Sequence, residues 1–183
     1  MAPERPAGFA ALPRKAQVVI SATVVAGIAM AFAATLAYPD ADVDVPLLLV
    51  AVGLCSAANL FEVFAPGHYS LQPNFAFFFW GAVLLPPWAI AVLAVCCFVP
   101  GWAAKRFPWF KVAFNIGNYL IAGLAAHAIV AAAGVFEGGI ASEPYEVIVL
   151  AGAALTFAFV NHLLIVFVAS YASGEPVRTG STS

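Results

Sequence analysis

The sequence predicts an all-α integral membrane protein with six transmembrane segments and with both termini in the cytoplasm. The composition is the first reason: 64% of the 183 residues are hydrophobic and only 9% are charged, whereas soluble domains carry about 25% charged residues. A soluble domain with this composition would expose large apolar patches. The other two reasons are long apolar runs and a clustered distribution of Lys and Arg.

Four of the segments are apolar runs bounded by polar loops, and we predict helices over 17–38, 46–65, 109–136 and 145–171. Each run is long enough to cross a hydrocarbon core of about 30 Å. Basic residues precede the first run, as they do in a signal peptide, but Pro39 follows it rather than a small-residue cleavage pattern. We therefore expect this run to be retained as the first helix.

The remaining apolar stretch is interrupted by Pro86 and Pro87, so it could cross the membrane once or twice. Lys and Arg fall in three clusters, and the loops between the first two and between the last two helices are acidic. Basic loops stay in the cytoplasm, so the stretch must cross an even number of times. Pro87 suits the first turn of a new helix. We predict two short helices, 69–85 and 87–103, joined by a tight external turn; a re-entrant hairpin satisfies the charges equally well. The basic clusters are Arg5, Arg14 and Lys15; Lys105, Arg106 and Lys111; and Arg178.

We interpret the chain as one membrane domain, 17–172, between a cytoplasmic N-terminal segment, 1–16, and a cytoplasmic tail, 173–183. No internal repeat or linker divides it.

Polar residues inside the predicted helices concentrate in the cytoplasmic half. Such side chains usually face the bundle interior and hydrogen-bond one another. They could simply join the helices, or they could have a functional role. Glu62 could extend to the nearby interface or pair with His162 or Lys111. The predicted intramembrane polar network consists of Asn59, Glu62, Asn115, Asn118, Asn161 and His162, with Gln72 and Asn74 close by.

Nothing in the sequence indicates catalysis. There is no Ser-His-Asp order, no paired carboxylates within a helix and no Gly-rich phosphate loop. We predict no catalytic residue, no cofactor and no metal. A haem or metal site formed by His127 and His162 is not expected, because the predicted topology places these residues in opposite halves of the membrane. The three cysteines (Cys55, Cys96 and Cys97) lie in apolar runs and are interpreted as packing residues. Nucleic acid is not an expected partner, because no basic patch has interleaved aromatics.

The order of the motifs resembles a known family. "YSLQPNFAFFFWGAVLL" and "PPWAIAVLAVCCFVPGW" are followed by the basic "KRFPWFK", by "AFNIGNYLIAGLAAHAIV" and by "FVNHLLIVFVASYASG". This order resembles the N-terminal membrane sensor domains that precede diguanylate cyclase or HD-GYP phosphodiesterase modules in actinobacteria. Asn115 and Asn161 match the family pattern. The plan is also similar to vitamin-uptake proteins, including the substrate-binding components of energy-coupling-factor transporters.

The resemblance implies a multi-pass protein of the bacterial inner membrane that senses a small molecule. It would regulate a cytoplasmic output domain in cyclic-di-GMP signalling, and that domain is absent from this chain. The expected ligand-binding residues in the outer half are Trp80, Trp88, Tyr119 and His127. Two alternatives remain open: the substrate-binding component of a vitamin-like solute transporter, and a membrane anchor or dimerisation scaffold. The expected partners are the lipid bilayer, an unidentified small molecule and a second copy of the chain.

Overall fold

The described part of the chain folds into a bundle of six α-helices. The computed structural model describes residues 8–39, 41–60, 63–65, 69–71, 73–135 and 143–173. A short 3-10 turn, Phe9–Ala11, precedes the first helix. The helices are α1 (Arg14–Ala37), α2 (Val45–Leu60), α3 (Asn74–Leu84), α4 (Pro87–Lys105), α5 (Trp109–Ala132) and α6 (Pro144–Ser173). Two three-residue strands, β1 (Val63–Ala65) and β2 (Tyr69–Leu71), pair antiparallel between α2 and α3.

The helices have the lengths and composition of a membrane protein, but not all of them are of spanning length. Four helices in the described ranges, α1, α4, α5 and α6, are long and apolar enough to cross a membrane. The 16 residues of α2 and the 11 residues of α3 extend about 24 and 16 Å at 1.5 Å per residue, against a core of about 30 Å. Six full crossings therefore remain a prediction for α2 and α3.

The connection between α2 and α3 differs most from the predicted boundaries. The predicted helices were 46–65 and 69–85, whereas α2 ends at Leu60 and α3 begins at Asn74. The local sequence explains the difference, because Val-Phe and Tyr-Ser-Leu favour strands and flank a Pro-Gly turn signal. Pro73 then disfavours a helical residue before it and suits the start of α3. The hairpin thus replaces the last turn of one predicted helix and the first of the next.

The other helix ends lie close to the predicted ones, except at α5. This helix ends at Ala132 rather than 136, and Gly134 has a φ of 64° in the left-handed region that favours glycine. Residues 1–7 of the predicted N-terminal segment and residues 174–183 of the predicted tail lie outside the described residues.

Helices α3 and α4 form a hairpin at the position that the two prolines predict. Leu85 is extended and Pro87 is the first residue of α4. The hairpin is antiparallel, since Asn74 at the start of α3 contacts Cys97 late in α4. Pro87 fits the first turn because the backbone N–H that it lacks would have no helical partner there.

Helix α5 lies at the centre of the bundle and contacts α1, α3, α4 and α6. It runs parallel to α1, since the rings of Phe9 and Trp109 meet near one end and those of Tyr38 and His127 meet near the other. Helix α6 runs antiparallel to α5. Helices α1 and α5 approach each other closely at Gly117, where an added Cβ would lie 2.9 Å from the Thr23 carbonyl oxygen.

The described charged residues separate completely along the bundle axis. All the described Lys and Arg residues lie where α1 and α5 begin and α4 ends, and we call this the basic end: Arg14, Lys15, Lys105, Arg106 and Lys111. All the described acidic residues lie where α2 and α6 begin, the acidic end: Asp42, Asp44, Glu143 and Glu146. Between the two ends most of the exposed side chains are apolar, including Phe32 and Leu155, and Ser21 and His162 are exposed polar exceptions. This surface is compatible with surrounding lipid.

Candidate functional site

A buried amide at the start of α3 joins four helices. The Asn74 Nδ2 group donates hydrogen bonds to Asn59 Oδ1 on α2 at 3.4 Å and to Cys97 Sγ on α4 at 3.3 Å. The Tyr119 hydroxyl on α5 donates to Asn74 Oδ1 at 3.2 Å. We call these four residues the Asn74 cluster. Both ends of the Asn74 amide thus have partners, as a polar group in an apolar interior requires.

The two buried cysteines extend the Asn74 cluster between α2 and α4. The Cys97 thiol donates to the Cys55 carbonyl oxygen at 3.8 Å, and Ser56 Oγ donates to the Cys96 carbonyl oxygen at 2.9 Å. One turn along, a Cβ on Gly101 would collide with Asn59 Nδ2. Glycine at this position therefore leaves room for the Asn59 amide. The residues in contact advance in the same direction along both helices, so α2 and α4 run parallel here.

Aromatic rings enclose the Asn74 cluster on the α5 side. The Tyr119 ring packs edge-to-face against Phe78, Phe98 and Phe157 at centroid separations of 4.9, 4.8 and 5.6 Å. Such edge-to-face pairs are favourable beyond the area that they bury. The cluster is therefore shielded from the bundle surface.

A second amide contact joins α5 to α6 at the same level. The Asn118 Nδ2 group donates to Asn161 Oδ1 at 2.6 Å, and we call these two residues the Asn118–Asn161 pair. Asn118 is 0% exposed, and its Oδ1 atom has no hydrogen-bond donor among the described residues. Asn161 is half-buried. The pair and the Asn74 cluster together form the polar layer of the bundle.

The rest of the predicted polar network is dispersed. Asn115 is half-buried one turn before Asn118, and His162 is exposed on α6. Glu62 and Gln72 lie outside the described residues, so the predicted pairing of Glu62 with His162 or Lys111 does too.

The four predicted ligand-binding residues have different surroundings. Tyr119 belongs to the polar layer. Trp80 is 38% exposed on α3, and Trp88 Nε1 donates to the Ala41 carbonyl oxygen at 3.5 Å near the acidic end. His127 Nδ1 lies 3.1 Å from the Ala82 carbonyl oxygen, which can only accept, so Nδ1 carries the proton.

Sequence reasoning missed the roles of three residues in the site: Asn74, Cys97 and Gly101. Asn74 was noted beside the network, and Cys97 was interpreted only as a packing residue. The signal that could have identified Asn74 is its position, because it is the sole strongly polar residue of an otherwise apolar helix that directly follows a proline.

Within the described ranges, no group of three or more His, Cys, Asp and Glu side chains is arranged to bind a metal ion. In comparisons with known proteins, no family model, curated protein or solved structure matched the chain.

Proposed function

We propose that the chain is a ligand-sensing membrane module in which the polar layer changes its hydrogen-bond partners when a small molecule binds. The change would be transmitted to a cytoplasmic signalling output domain. The observation on which the proposal depends is the buried Asn118 Oδ1 atom, which has an unused acceptor position next to Asn161.

An unused acceptor permits a second arrangement of the same helices. Asn115 lies three residues before Asn118, so the two amides share one face of α5. A slide of α6 by about one turn, roughly 5 Å, would bring Asn161 from Asn118 to Asn115. Shifts of this kind between packed helices are a common form of two-state switching. A ligand changes the balance only if it binds the two states with different affinity.

The acidic end is where we expect the ligand to act. Trp88 contacts the α1–α2 loop there through the Ala41 carbonyl oxygen. The His127 ring lies edge-to-face with Tyr38 at 6.5 Å, so it joins α5 to the end of α1. A molecule that displaced either contact would move α1 or α4 relative to α5. Tyr119, two turns along α5 from His127, would connect this movement to the polar layer.

The first experiment identifies the small molecule and then measures its effect. Native mass spectrometry of gently purified protein should show a retained small molecule, and the compound released by denaturation then serves as the probe. Spin labels at Lys111→Cys and Tyr171→Cys report the separation of α5 and α6 near the basic end. We expect the probe to change this distance in the labelled parent protein. In the Asn161→Leu variant the distance should stay constant, while the affinity for the probe changes less than about two-fold.

The matched control is Phe159→Leu, two residues away on the exposed face of the same helix, which should keep both affinity and response. An equal loss of affinity and response in Asn161→Leu would contradict the proposal. So would the absence of any retained compound in repeated preparations.

A transport component is the second candidate, and one observation favours it. Ala22 and Ala26 are both exposed on α1, and small residues at a spacing of four let another helix approach closely. Binding of the probe does not separate the two functions. Probe uptake into cells, measured with and without Ala22→Phe, does: loss of uptake would support transport and contradict a purely sensory role.

A further inference from the structure

The basic end presents a concentration of positive charge on a surface without described acidic residues. Its five cations are all exposed, and they come from the beginnings of α1 and α5 and from the end of α4. The four described carboxylates are at the opposite end of the bundle. Neighbouring cations of this kind repel one another unless an anion lies among them.

Three of these cations oppose the dipole of their own helix. Arg14 and Lys15 lie in the first turn of α1, and Lys111 lies in the first turn of α5, where negative charge is favoured. Neither helix has a side-chain cap or an acidic residue in its first turn. The first-turn N–H groups of α1 and α5 thus add to the positive potential of the basic end.

The acidic end shows the opposite arrangement. Asp44 Oδ1 accepts the Leu47 backbone N–H at 3.0 Å at the start of α2, and Glu146 Oε2 accepts the Glu143 backbone N–H at 3.1 Å at the start of α6. These carboxylates stabilise the helices on which they lie. Arg14, Lys15 and Lys111 do not do this for α1 and α5, so their positions favour an anionic partner at this end.

The basic end carries exposed aromatic residues of the kind that are typical of the depth of lipid headgroups. Trp109 is 59% exposed and Trp102 is 40% exposed, and tryptophan concentrates at membrane–water interfaces. The Phe9 ring packs against the Trp109 ring at 5.6 Å. Gln17 Nε2 donates to the Leu12 carbonyl oxygen at 2.8 Å, which fixes the 3-10 turn against α1.

We propose that the basic end binds the phosphate headgroups of anionic phospholipids in the leaflet that it faces. Charge complementarity selects an anionic group, and the exposed tryptophans select a lipid rather than a soluble anion. Arginine and lysine clusters beside transmembrane helices attract anionic headgroups in this way. This inference does not depend on the proposed sensing function.

Tryptophan quenching tests the proposal directly. A Trp80→Phe/Trp88→Phe variant leaves Trp102 and Trp109 as the only tryptophans, both at the basic end. The variant is reconstituted in phosphatidylcholine bilayers that contain a small fraction of lipid brominated near the headgroup. We expect brominated phosphatidylglycerol to quench the fluorescence at least about two-fold more than brominated phosphatidylcholine at the same mole fraction, and the excess should fall as salt is added.

A charge variant separates specific enrichment from general contact. Arg14→Gln/Lys15→Gln/Lys111→Gln in the same background should lower the apparent affinity for phosphatidylglycerol by about ten-fold or more. Asp42→Asn/Asp44→Asn, at the acidic end, is the control and should leave it unchanged. The circular dichroism of each variant must match the parent, and the comparison of the two lipids in the parent remains decisive if a variant does not fold.

Three results would overturn the proposal. The first is equal quenching by the two brominated lipids in the parent. The second is relief of the excess quenching by inorganic phosphate but not by chloride at equal ionic strength, which would make a soluble anion the occupant. The third is an unchanged affinity in the correctly folded triple-Gln variant.

Discussion

The hydroxyl of Tyr119 is the residue-scale feature on which the central contacts of the bundle depend. It donates to Asn74 Oδ1 at 3.2 Å, and its ring fills the space between Phe78, Phe98 and Phe157. One residue thus contributes both a polar and an apolar contact. Asn74 is 0% exposed, so this hydrogen bond and the two that the Asn74 Nδ2 group donates together fix the orientation of its side chain.

We predict that Tyr119→Phe destabilises the protein by about 1 to 2 kcal/mol. The ring contacts are retained, but Asn74 Oδ1 loses its donor, and an unsatisfied buried acceptor is costly. The measurement is the free energy of unfolding in a denaturing detergent titration. Tyr145→Phe is the matched control, because Tyr145 is exposed at the start of α6, and it should change stability by less than about 0.5 kcal/mol. Equal effects of the two substitutions would show that the Tyr119–Asn74 hydrogen bond makes no specific contribution to the free energy of unfolding.

At the scale of the element, the crossing of α1 and α5 is set by glycine. An added Cβ on Gly27 would lie 2.8 Å from the Gly117 carbonyl oxygen, and one on Gly117 would lie 2.9 Å from Val24 Cα. The obstructing atoms are backbone atoms, which cannot rotate away as a side chain can. Close backbone approach of this kind is typical of helix pairs in membranes, where lipid provides no hydrophobic driving force for association.

Gly117→Ala should therefore separate α1 from α5 and lower the free energy of unfolding by about 1 to 3 kcal/mol. The control is Gly53→Ala on α2, where an added Cβ would meet nothing within 4 Å. That substitution should be neutral or should stabilise the helix by up to about 1 kcal/mol, because alanine is the better helix former. Both are measured by the same detergent titration. An unchanged free energy of unfolding in Gly117→Ala would indicate that α1 can shift away from α5 without loss of stability.

Sequence patterns predicted the elements better than their contacts. The Pro86–Pro87 turn was predicted because proline constrains its own backbone, and the long helices were predicted because length and hydropathy are local properties. The ends of α2 and α3 were predicted less well, since the strand-forming residues around Pro66 are as apolar as the helix that they interrupt. The Asn74 cluster could not be predicted from local sequence patterns. Its members come from four helices, and only the packing of α2 parallel to α4 brings Asn59 and Cys97 to the same amide.

The sequence also did not predict which partner each residue of the polar layer contacts. Asn118 and Tyr119 are adjacent in the sequence, but consecutive helix residues point about 100° apart. Asn118 accordingly donates a hydrogen bond to α6, whereas the Tyr119 hydroxyl donates to α3. Sequence spacing identified the polar residues on α5, and the neighbouring helices determined which partner each one has.

At the scale of the whole molecule, the separation of charge determines how the bundle should insert. The basic end combines the described Lys and Arg residues with exposed tryptophans, and the acidic end combines the described carboxylates with two helix N-termini. Basic segments resist translocation across the bacterial inner membrane. The same charges that we propose to bind anionic lipid should therefore keep the basic end in the cytoplasm.

We predict that Asp42→Cys is labelled by a membrane-impermeant maleimide in intact spheroplasts, whereas Ala104→Cys is labelled only after the membranes are broken. Asp42 is exposed in the α1–α2 loop at the acidic end, and Ala104 is exposed at the basic end of α4.

The unsubstituted protein is the control: Cys55 and Cys97 are buried and Cys96 is half-buried within α4, so the protein should remain unlabelled in both conditions. Glu143→Cys, at the start of α6, should behave as Asp42→Cys does. Labelling of Ala104→Cys but not of Asp42→Cys in intact spheroplasts would show that the orientation is reversed, and it would place the proposed lipid-binding end in the outer leaflet. Labelling of both Asp42→Cys and Ala104→Cys would mean that an even number of crossings separates them, so that either α2 or α3 fails to span the bilayer.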